Sequence, residues 1–297
     1  MDLNTFIITV FCLVDDWLEG KKPHRERGPE PKLSDSEVLT IEIVGEFLSI
    51  DTEKGFYAYF RNHYAEWFPA LREVHRTTFT RQAANLWVLK EKLWKHLLDR
   101  ISFDPKISLM DSFPVPVCRF ARAYRCRRLA EVSAFGYDEM TKQTFYGLRA
   151  HLRVCWPGVI VNVDLAPANV HDLHMAEELL KEEESVLGWV LGDRNYYNPN
   201  LAERLLDEKE GLYLLAPYKF KSKEEKRWPP WLVQKRRRIE TMISQLTERY
   251  RAKKVWVRDR WHLTVRWLRK VLSHTMAVFL CQQAGLPPLR FAELLTD

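Results

Sequence analysis

The hydrophobic pattern of this chain changes near residue 102. Before that point, apolar residues recur at spacings of three and four, which predicts helices. Helices are expected from Leu33, with Ser34 or Ser36 as the cap, from about Gly55 to Tyr64, and from about Thr80 to Leu98. After Asp104-Pro105 the residues become strand formers. We therefore expect two domains, a helical one over residues 1–102 and an α/β one over residues 103–297.

The second part predicts strands and helices in a mixed order. Strands are expected over Ile107–Val117, Thr144–Cys155, Val159–Leu165, Trp189–Leu191 and Leu212–Leu215. Helices are expected over Met175–Leu187, Asn200–Lys209 and Leu232–Arg251. Three strands followed by alternating helices and strands predict a mixed sheet covered by helices, which is an α/β fold.

Composition excludes several classes of protein. A chain of 297 residues with 46% hydrophobic and 29% charged residues is globular rather than disordered or fibrous. The apolar run Phe6–Val14 is flanked by acids and is too short for a secretory signal or a membrane span. Five cysteines without a CxxC pair predict no disulfide framework, and we expect a cytoplasmic protein without a membrane partner.

Positive charge is concentrated in two segments. Residues 219–260 hold fifteen Lys and Arg against five acids, and the arginines of 119–128 have no acid until Glu131. Aromatic residues, among them Trp228 and Trp231, are interleaved with the first segment. This combination favours a nucleic-acid groove, with the two tryptophans able to stack on bases. Solvated helix faces and a packed loop are the alternatives.

A possible DNA-reading element lies in the helical part. Thr77, Thr78 and Arg81 stand where a helix begins, as in the recognition helix of a helix-turn-helix. A helical bundle whose exposed end carries only a cap explains the same residues.

Three acids stand in unusual surroundings. Asp111 lies inside an apolar strand, Asp193 ends another, and Glu240 follows three consecutive arginines. An ionised carboxylate in an apolar strand is costly unless a cation meets it. Oxygen ligands favour Mg²⁺ or Mn²⁺, and two such ions would suit phosphoryl transfer. Taken singly, each acid is also explained as a cap or as a partner in a helical ion pair.

Six short blocks then follow one another in a suggestive order. They are Met110–Ser112, Lys142–Leu152, Ala166–Asp172, Leu191–Tyr196, Arg236–Thr241 and Lys270–Thr275. Together they resemble the DDE transposases of bacterial insertion sequences, most closely the insertion sequence 982 family. The resemblance covers roughly residues 105–280 and implies a ribonuclease-H-like core with the triad Asp111, Asp193 and Glu240.

The resemblance also implies an activity and its partners. It implies Mg²⁺-dependent cleavage of double-stranded DNA at terminal inverted repeats and strand transfer into target DNA. Joining two ends suggests a homodimer on DNA, and the setting is the nucleoid of a bacterial cytoplasm. A silent DNA-binding derivative of a transposase and a nuclease without strand transfer are the alternatives. We expect the DNA-binding residues to be Thr77, Thr78, Arg81, Arg119, Arg122, Arg125, Lys219, Lys221, Trp228, Trp231, Arg236, Arg237, Arg238 and Arg249.

Two further kinds of site are disfavoured. The pair His171 and His174 lacks a second close pair of zinc ligands, and a turn before the next helix explains it more simply. No Gly-rich phosphate loop is present, so no nucleotide cofactor is expected.

Overall fold

The computed structural model describes residues 1–21, 30–182, 186–209, 211–217 and 229–296. The chain divides into two compact units. The first comprises Met1–Ile101, Leu246–Ala252 and Trp261–Asp297, and the second comprises Ser102–Gln245 and Lys253–Arg260. The change of pattern near residue 102 coincides with one boundary between them. The last 37 residues, however, which the sequence grouped with the α/β part, belong to the helical unit.

The first unit is helical. Its helices are α1 (Leu3–Leu18), α2 (Asp35–Phe47), α3 (Glu53–His63), α4 (Arg76–Asn85), α5 (Trp87–Arg100), and, from the end of the chain, α9 (Arg260–Gln283) and α10 (Phe291–Leu294). Ser34 caps α2 through a complete capping box with Glu37. No helix among the described residues is long and apolar enough to cross a membrane.

The predicted helix over Thr80–Leu98 is wrong in one respect, because two helices occupy this stretch. The break lies at Leu86, between α4 and α5. In a continuous helix, the carbonyl of Ala83 would accept a hydrogen bond from residue 87. Here it accepts one from the buried ammonium of Lys90, at 2.7 Å.

The interior of the first unit holds a group of ion pairs, which we call the buried ion network. Arg269 of α9 pairs with Glu42, Glu46 and Glu53, and Lys270 pairs with Glu46. The remaining pairs are Lys90 with Glu42 and Arg266 with Asp51. These contacts connect α2, α3 and α5 to α9, so the helical unit draws together distant parts of the sequence.

The second unit is a sheet with helices. Its strands are β1 (Asp104–Pro116), β2 (Ala134–Asp138), β3 (Gln143–Trp156), β4 (Val159–Pro167), β5 (Gly188–Leu191) and β6 (Leu212–Leu215). Its helices are α6 (Asp172–Glu182), α7 (Pro199–Glu208) and α8 (Pro230–Ser244). The sequence missed β2, a five-residue strand that contains Gly136. The helix expected over Leu232–Arg251 ends at Ser244, and Gln245–Arg249 form a π-helical turn.

The sheet is mixed, as the sequence predicts. Strand β3 lies antiparallel between β1 and both β2 and β4, whereas β1, β5 and β6 run parallel. Residues of α6 and α7 pack with the strands in one apolar cluster that includes Met110, Leu180, Val190 and Leu205. Met110 of β1 and Val190 of β5 both belong to this cluster, so the strand segments that precede Asp111 and Asp193 are anchored in the same core.

Candidate functional site

Asp111 and Asp193 occupy matching places on neighbouring parallel strands. Leu109 of β1 pairs with Leu191 of β5, and each acid follows two residues later. Parallel neighbours lie about 4.8 Å apart, so Asp111, within β1, and Asp193, just past the end of β5, lie close to each other. Each side chain also caps its own backbone: Asp111 accepts from the N–H of Ser112, and Asp193 from that of Asn195, both at 2.8 Å. The structure therefore brings the first two predicted acids together.

Both carboxyl groups are poorly solvated. Burial, assisted by the charge of Asp193, raises the pKa of Asp111 to about 7, despite the hydrogen bond from Ser112. Burial also raises the pKa of Asp193. Each group is therefore hard to ionise without a nearby cation. Their surroundings are those expected of carboxylates that hold a metal ion.

Helix α8 brings a positive charge to this pair. The charge of Arg236 lowers the pKa of both Asp111 and Asp193, against the larger effect of burial. Among the residues that the structure describes, the buried Nε of Arg236 has no hydrogen-bond partner. Glu240 lies one turn later on α8 and is exposed. Residues four apart share a helix face, so Arg236 and Glu240 point to the same side.

A third aspartate, which the sequence analysis did not single out, belongs to this site. Asp172 begins α6, and its carboxylate accepts a hydrogen bond of 2.7 Å from Ser112, the neighbour of Asp111. Its charge acts to raise the pKa of both Asp111 and Asp193, after burial. The available signal is its place in the block Ala166–Asp172, one of the six blocks of the transposase resemblance, although a turn before the next helix also explains the polar residues there.

Three further residues lie near Ser112 and Asp172. Arg149 donates to the hydroxyl of Ser112 at 3.2 Å, and Nδ1 of the buried His151 lies 3.6 Å from Asp172. Burial lowers the pKa of His151. The fully buried Tyr196 has its pKa raised by burial and then by the three aspartates. Polar residues of β1, β3, α6 and the turn after β5 therefore gather around the acids.

No complete metal site is preformed among the described residues. No group of three or more His, Cys, Asp or Glu side chains there is arranged to hold an ion. His171 accepts from the N–H of Leu173, and His174 pairs with Glu178, so the two histidines have local roles. The acids of the candidate site offer only oxygen ligands, which suit Mg²⁺ or Mn²⁺.

The predicted DNA-binding residues lie in several places. Thr77, Thr78 and Arg81 are exposed on α4, and Arg119, Arg122 and Arg125 are exposed after β1. Arg237 is exposed on α8, while Arg238 on the same helix lies 5.3 Å from the ring of Trp156. Lys219, Lys221 and Trp228 lie outside the described residues.

Two of these residues have packing roles. The ring of Trp231, on α8, lies 5.4 Å from that of Trp189 on β5, so this tryptophan packs from the helix and not from a loop before it. The guanidinium of Arg249 covers the ring of Phe47 and donates to the Phe47 carbonyl at 2.9 Å. Trp231 keeps 43% of its surface exposed, so its contact with DNA stays a prediction, as does that of Arg249.

The sheet order, with paired acids on β1 and after β5, defines a ribonuclease-H-like α/β fold, as predicted. Residues 102–258, more than half of the chain, match the family described as Transposase DDE domain. The chain belongs to this family of transposases.

Other comparisons are weaker. The piggyBac transposase in a synaptic complex with hairpin DNA is 12% identical, with a TM-score of 0.46 over 97% of this chain and 76% of that one. The Mos1 mariner paired end complex with Mn is 12% identical, with a TM-score of 0.23 over 84% of this chain and 88% of that one. No curated protein matches the chain.

Proposed function

We propose that this transposase cuts DNA at the ends of an insertion sequence of the 982 family and joins them to target DNA. The observation that carries the proposal is the pair of poorly solvated carboxylates, Asp111 and Asp193, at matching places on parallel strands. The family match supports the class of reaction. The blocks shared with the insertion sequence 982 family support the narrower assignment.

The acids fit a divalent metal, and we assign them to hold Mg²⁺ or Mn²⁺. Burial raises the pKa values of both acids and the charge of Arg236 only partly offsets it, so a further cation would favour their ionised forms, and their oxygens are the ligands these ions prefer. Glu240 would complete the triad from α8. When bound, two ions would act as Lewis acids on the attacking and leaving oxygens of phosphoryl transfer.

The protein's own residues orient the DNA phosphate. Arg236 carries a buried Nε without a partner in the described part of the chain, on the helix face that Glu240 shares. We assign it to donate to a phosphate oxygen, since charged hydrogen bonds to phosphate are strong and directional. Arg149 and Asp172 hold the side chain of Ser112, the neighbour of Asp111.

DNA is the proposed partner, and two protomers would each hold one end. The exposed arginines after β1 and on α8 would contact phosphates, and the exposed start of α4 would read the inverted repeat. In this proposal the helical N-terminal domain binds the DNA that the α/β domain cuts.

The test uses the purified full chain and linear DNA carrying the ends that flank its gene. In Mg²⁺ we expect cleavage at the ends and joining to a supercoiled plasmid. Asp111→Asn, Asp193→Asn and Glu240→Gln should abolish both while leaving DNA binding intact. Glu203→Gln, an exposed glutamate on α7, is the matched control.

Two results would refute parts of the proposal. Cleavage by the Asp193→Asn protein would show that the active site is assigned wrongly. Cleavage without any joined product would show that the protein is a nuclease without strand transfer. Mn²⁺ binding, followed by electron paramagnetic resonance, gives a readout apart from activity. We expect weaker Mn²⁺ binding for Asp111→Asn and Asp193→Asn than for the Glu203→Gln control.

A further inference from the structure

Four aromatic side chains between β1 and β3 are turned toward solvent. They are Phe120, Tyr124, Phe135 and Tyr137, with exposures of 54%, 74%, 51% and 51%, and we call them the aromatic surface. Single exposed apolar residues are common, but such a group usually marks an interaction site. Neither the proposed metal site nor the sheet core uses these rings.

The aromatic surface is a built feature rather than a loose loop. Phe135 and Tyr137 alternate along β2 and therefore share one face of it. The ring of Phe120 meets that of Phe135 edge-on at 6.2 Å, and Phe135 lies 5.0 Å from Tyr146 on β3. The sheet therefore holds Phe135 and Tyr137 in place, Phe120 lies against Phe135, and Tyr124 follows in the same short 3-10 helix, Phe120–Arg125.

The same segment is strongly cationic. Arg119, Arg122 and Arg125 are exposed among the aromatic residues, and no acid occurs from 119 to 130. The guanidinium of Arg125 lies 5.0 Å from the Tyr124 ring. Arginines beside flat exposed rings suit a partner with both phosphates and bases, whereas an apolar protein partner would leave these charges unpaired.

The surface is connected to the acids. The carbonyl of Tyr137 accepts a hydrogen bond of 2.8 Å from Arg149, which also donates to Ser112, the neighbour of Asp111. A DNA strand at Asp111 and Asp193 would therefore have the aromatic surface within reach.

We propose that the aromatic surface binds unpaired bases beside the phosphate cut at Asp111 and Asp193, while Arg119, Arg122 and Arg125 hold the adjoining phosphates. This inference rests on the proposed function and adds a requirement to it: the DNA end is opened where it enters the site. Stacking on rings tolerates any base, so the surface would not read sequence.

The test compares two fluorescent DNA probes with the full chain in EDTA. One is a blunt duplex of the element's end, and the other is the same duplex with its last few bases unpaired. Anisotropy gives both affinities for wild type, for Phe120→Ala/Tyr124→Ala, and for Tyr213→Ala, an exposed tyrosine on β6 that serves as the control. Tyr124→Ala alone is the second variant, because Tyr124 is the most exposed of the four and its removal disturbs the fold least.

We expect the aromatic variants to bind the unpaired probe at least about fivefold more weakly, since stacking contributes about that factor or more per base. Binding of the blunt duplex should change by less than about twofold, and Tyr213→Ala should match wild type. A substitution of Arg122 by Gln should weaken both probes alike, because phosphates are present in each.

Three results would overturn the inference. The first is equal binding of the unpaired probe by wild type and Tyr124→Ala, and the second is an equal loss on both probes. The third is self-association of wild type in the absence of DNA that is lost in the aromatic variants. The aromatic surface would then bind a second copy of this chain. If wild type cuts the end in Mg²⁺ and Asp111→Asn does not, any of these three results refutes only the proposed role of the aromatic surface. If wild type binds neither probe, the proposed function is refuted as well.

Discussion

Replacing Asp111 by Asn should stabilise the metal-free protein while abolishing cleavage. Asn keeps the size of the side chain and can still accept the hydrogen bond from Ser112, but it cannot ionise. The wild-type carboxyl must ionise in a place where burial and Asp193 oppose its charge. The ionised carboxylate of Asp111 therefore lowers the stability of the metal-free protein, and the substitution by Asn should remove this cost.

The size and sign of the effect follow from the pKa of Asp111. A change from 3.8 when unfolded to about 7 when folded, at about 1.4 kcal/mol per unit, gives an upper limit of about 4 kcal/mol. The folded state holds this proton more tightly, so the stability of wild type falls as pH rises from about 4 to about 7. The advantage of Asp111→Asn should therefore be small near pH 4 and reach its plateau, about 2–4 kcal/mol, by pH 8.

Urea unfolding in EDTA, followed by tryptophan fluorescence at several pH values, measures this difference. Asp207→Asn, an exposed aspartate on α7, is the matched control and should show no such pH dependence. Mg²⁺ should stabilise wild type more than Asp111→Asn, because only the ionised carboxylate binds it well. An Asp111→Asn protein that is no more stable than wild type at pH 8, or a difference that does not grow with pH, would refute the reasoning.

Three other substitutions test the fold. Arg269→Met should cost about 3–5 kcal/mol in urea unfolding, because Glu53 loses its ion pair and the buried ion network is left with four acids against three bases, whereas Arg290→Met, at the exposed pair with Glu293, should cost less than about 0.5 kcal/mol. Ser34→Ala should lower the free energy of unfolding by about 1 kcal/mol through loss of the α2 cap, and an unchanged urea midpoint would contradict this. Gly147→Ala should cost about 1–3 kcal/mol, since its Cβ would clash with the carbonyl oxygen of Val115. A melting temperature of the Gly147→Ala protein equal to that of wild type would contradict this, because it would mean that β1 and β3 accommodate the Cβ without cost.

Local signals in the sequence were sufficient for much of the fold. The serine before α2 and the glutamate three residues later form a capping box that depends only on neighbouring residues. The strand Leu212–Leu215 was predicted with its observed bounds, because a short apolar run between two polar segments leaves little choice. Such features do not depend on the rest of the chain, so a single sequence can reveal them.

Other features depend on residues far apart in the sequence. Asp172 begins α6, five residues after the end of β4, and its hydrogen bond to Ser112 joins residues 60 positions apart. Its own stretch of sequence predicts a turn and carries part of the transposase resemblance, but it does not predict this contact. Next to the break at Leu86, the ammonium of Lys90 binds both the Ala83 carbonyl and Glu42 of another helix. Such long-range contacts are visible only in the tertiary structure.

The two units treat buried charge in opposite ways, and this difference supports the assignment of the metal. In the buried ion network of the first unit, four acids face four bases, and Arg269 and Arg266 lower the pKa of Glu53 to about 2 although burial opposes them. Around Asp111, three aspartates instead share the nearby charges of Arg236 and Arg149, and the pKa of Asp111 is raised. The same chain can neutralise buried carboxylates where structure alone requires it. Around Asp111, by contrast, the acids outnumber the bases, and the Nε of Arg236 has no hydrogen-bond partner in the described part of the chain. Both features are best explained by ligands that bind together with the DNA: divalent cations at the acids and a phosphate at Arg236.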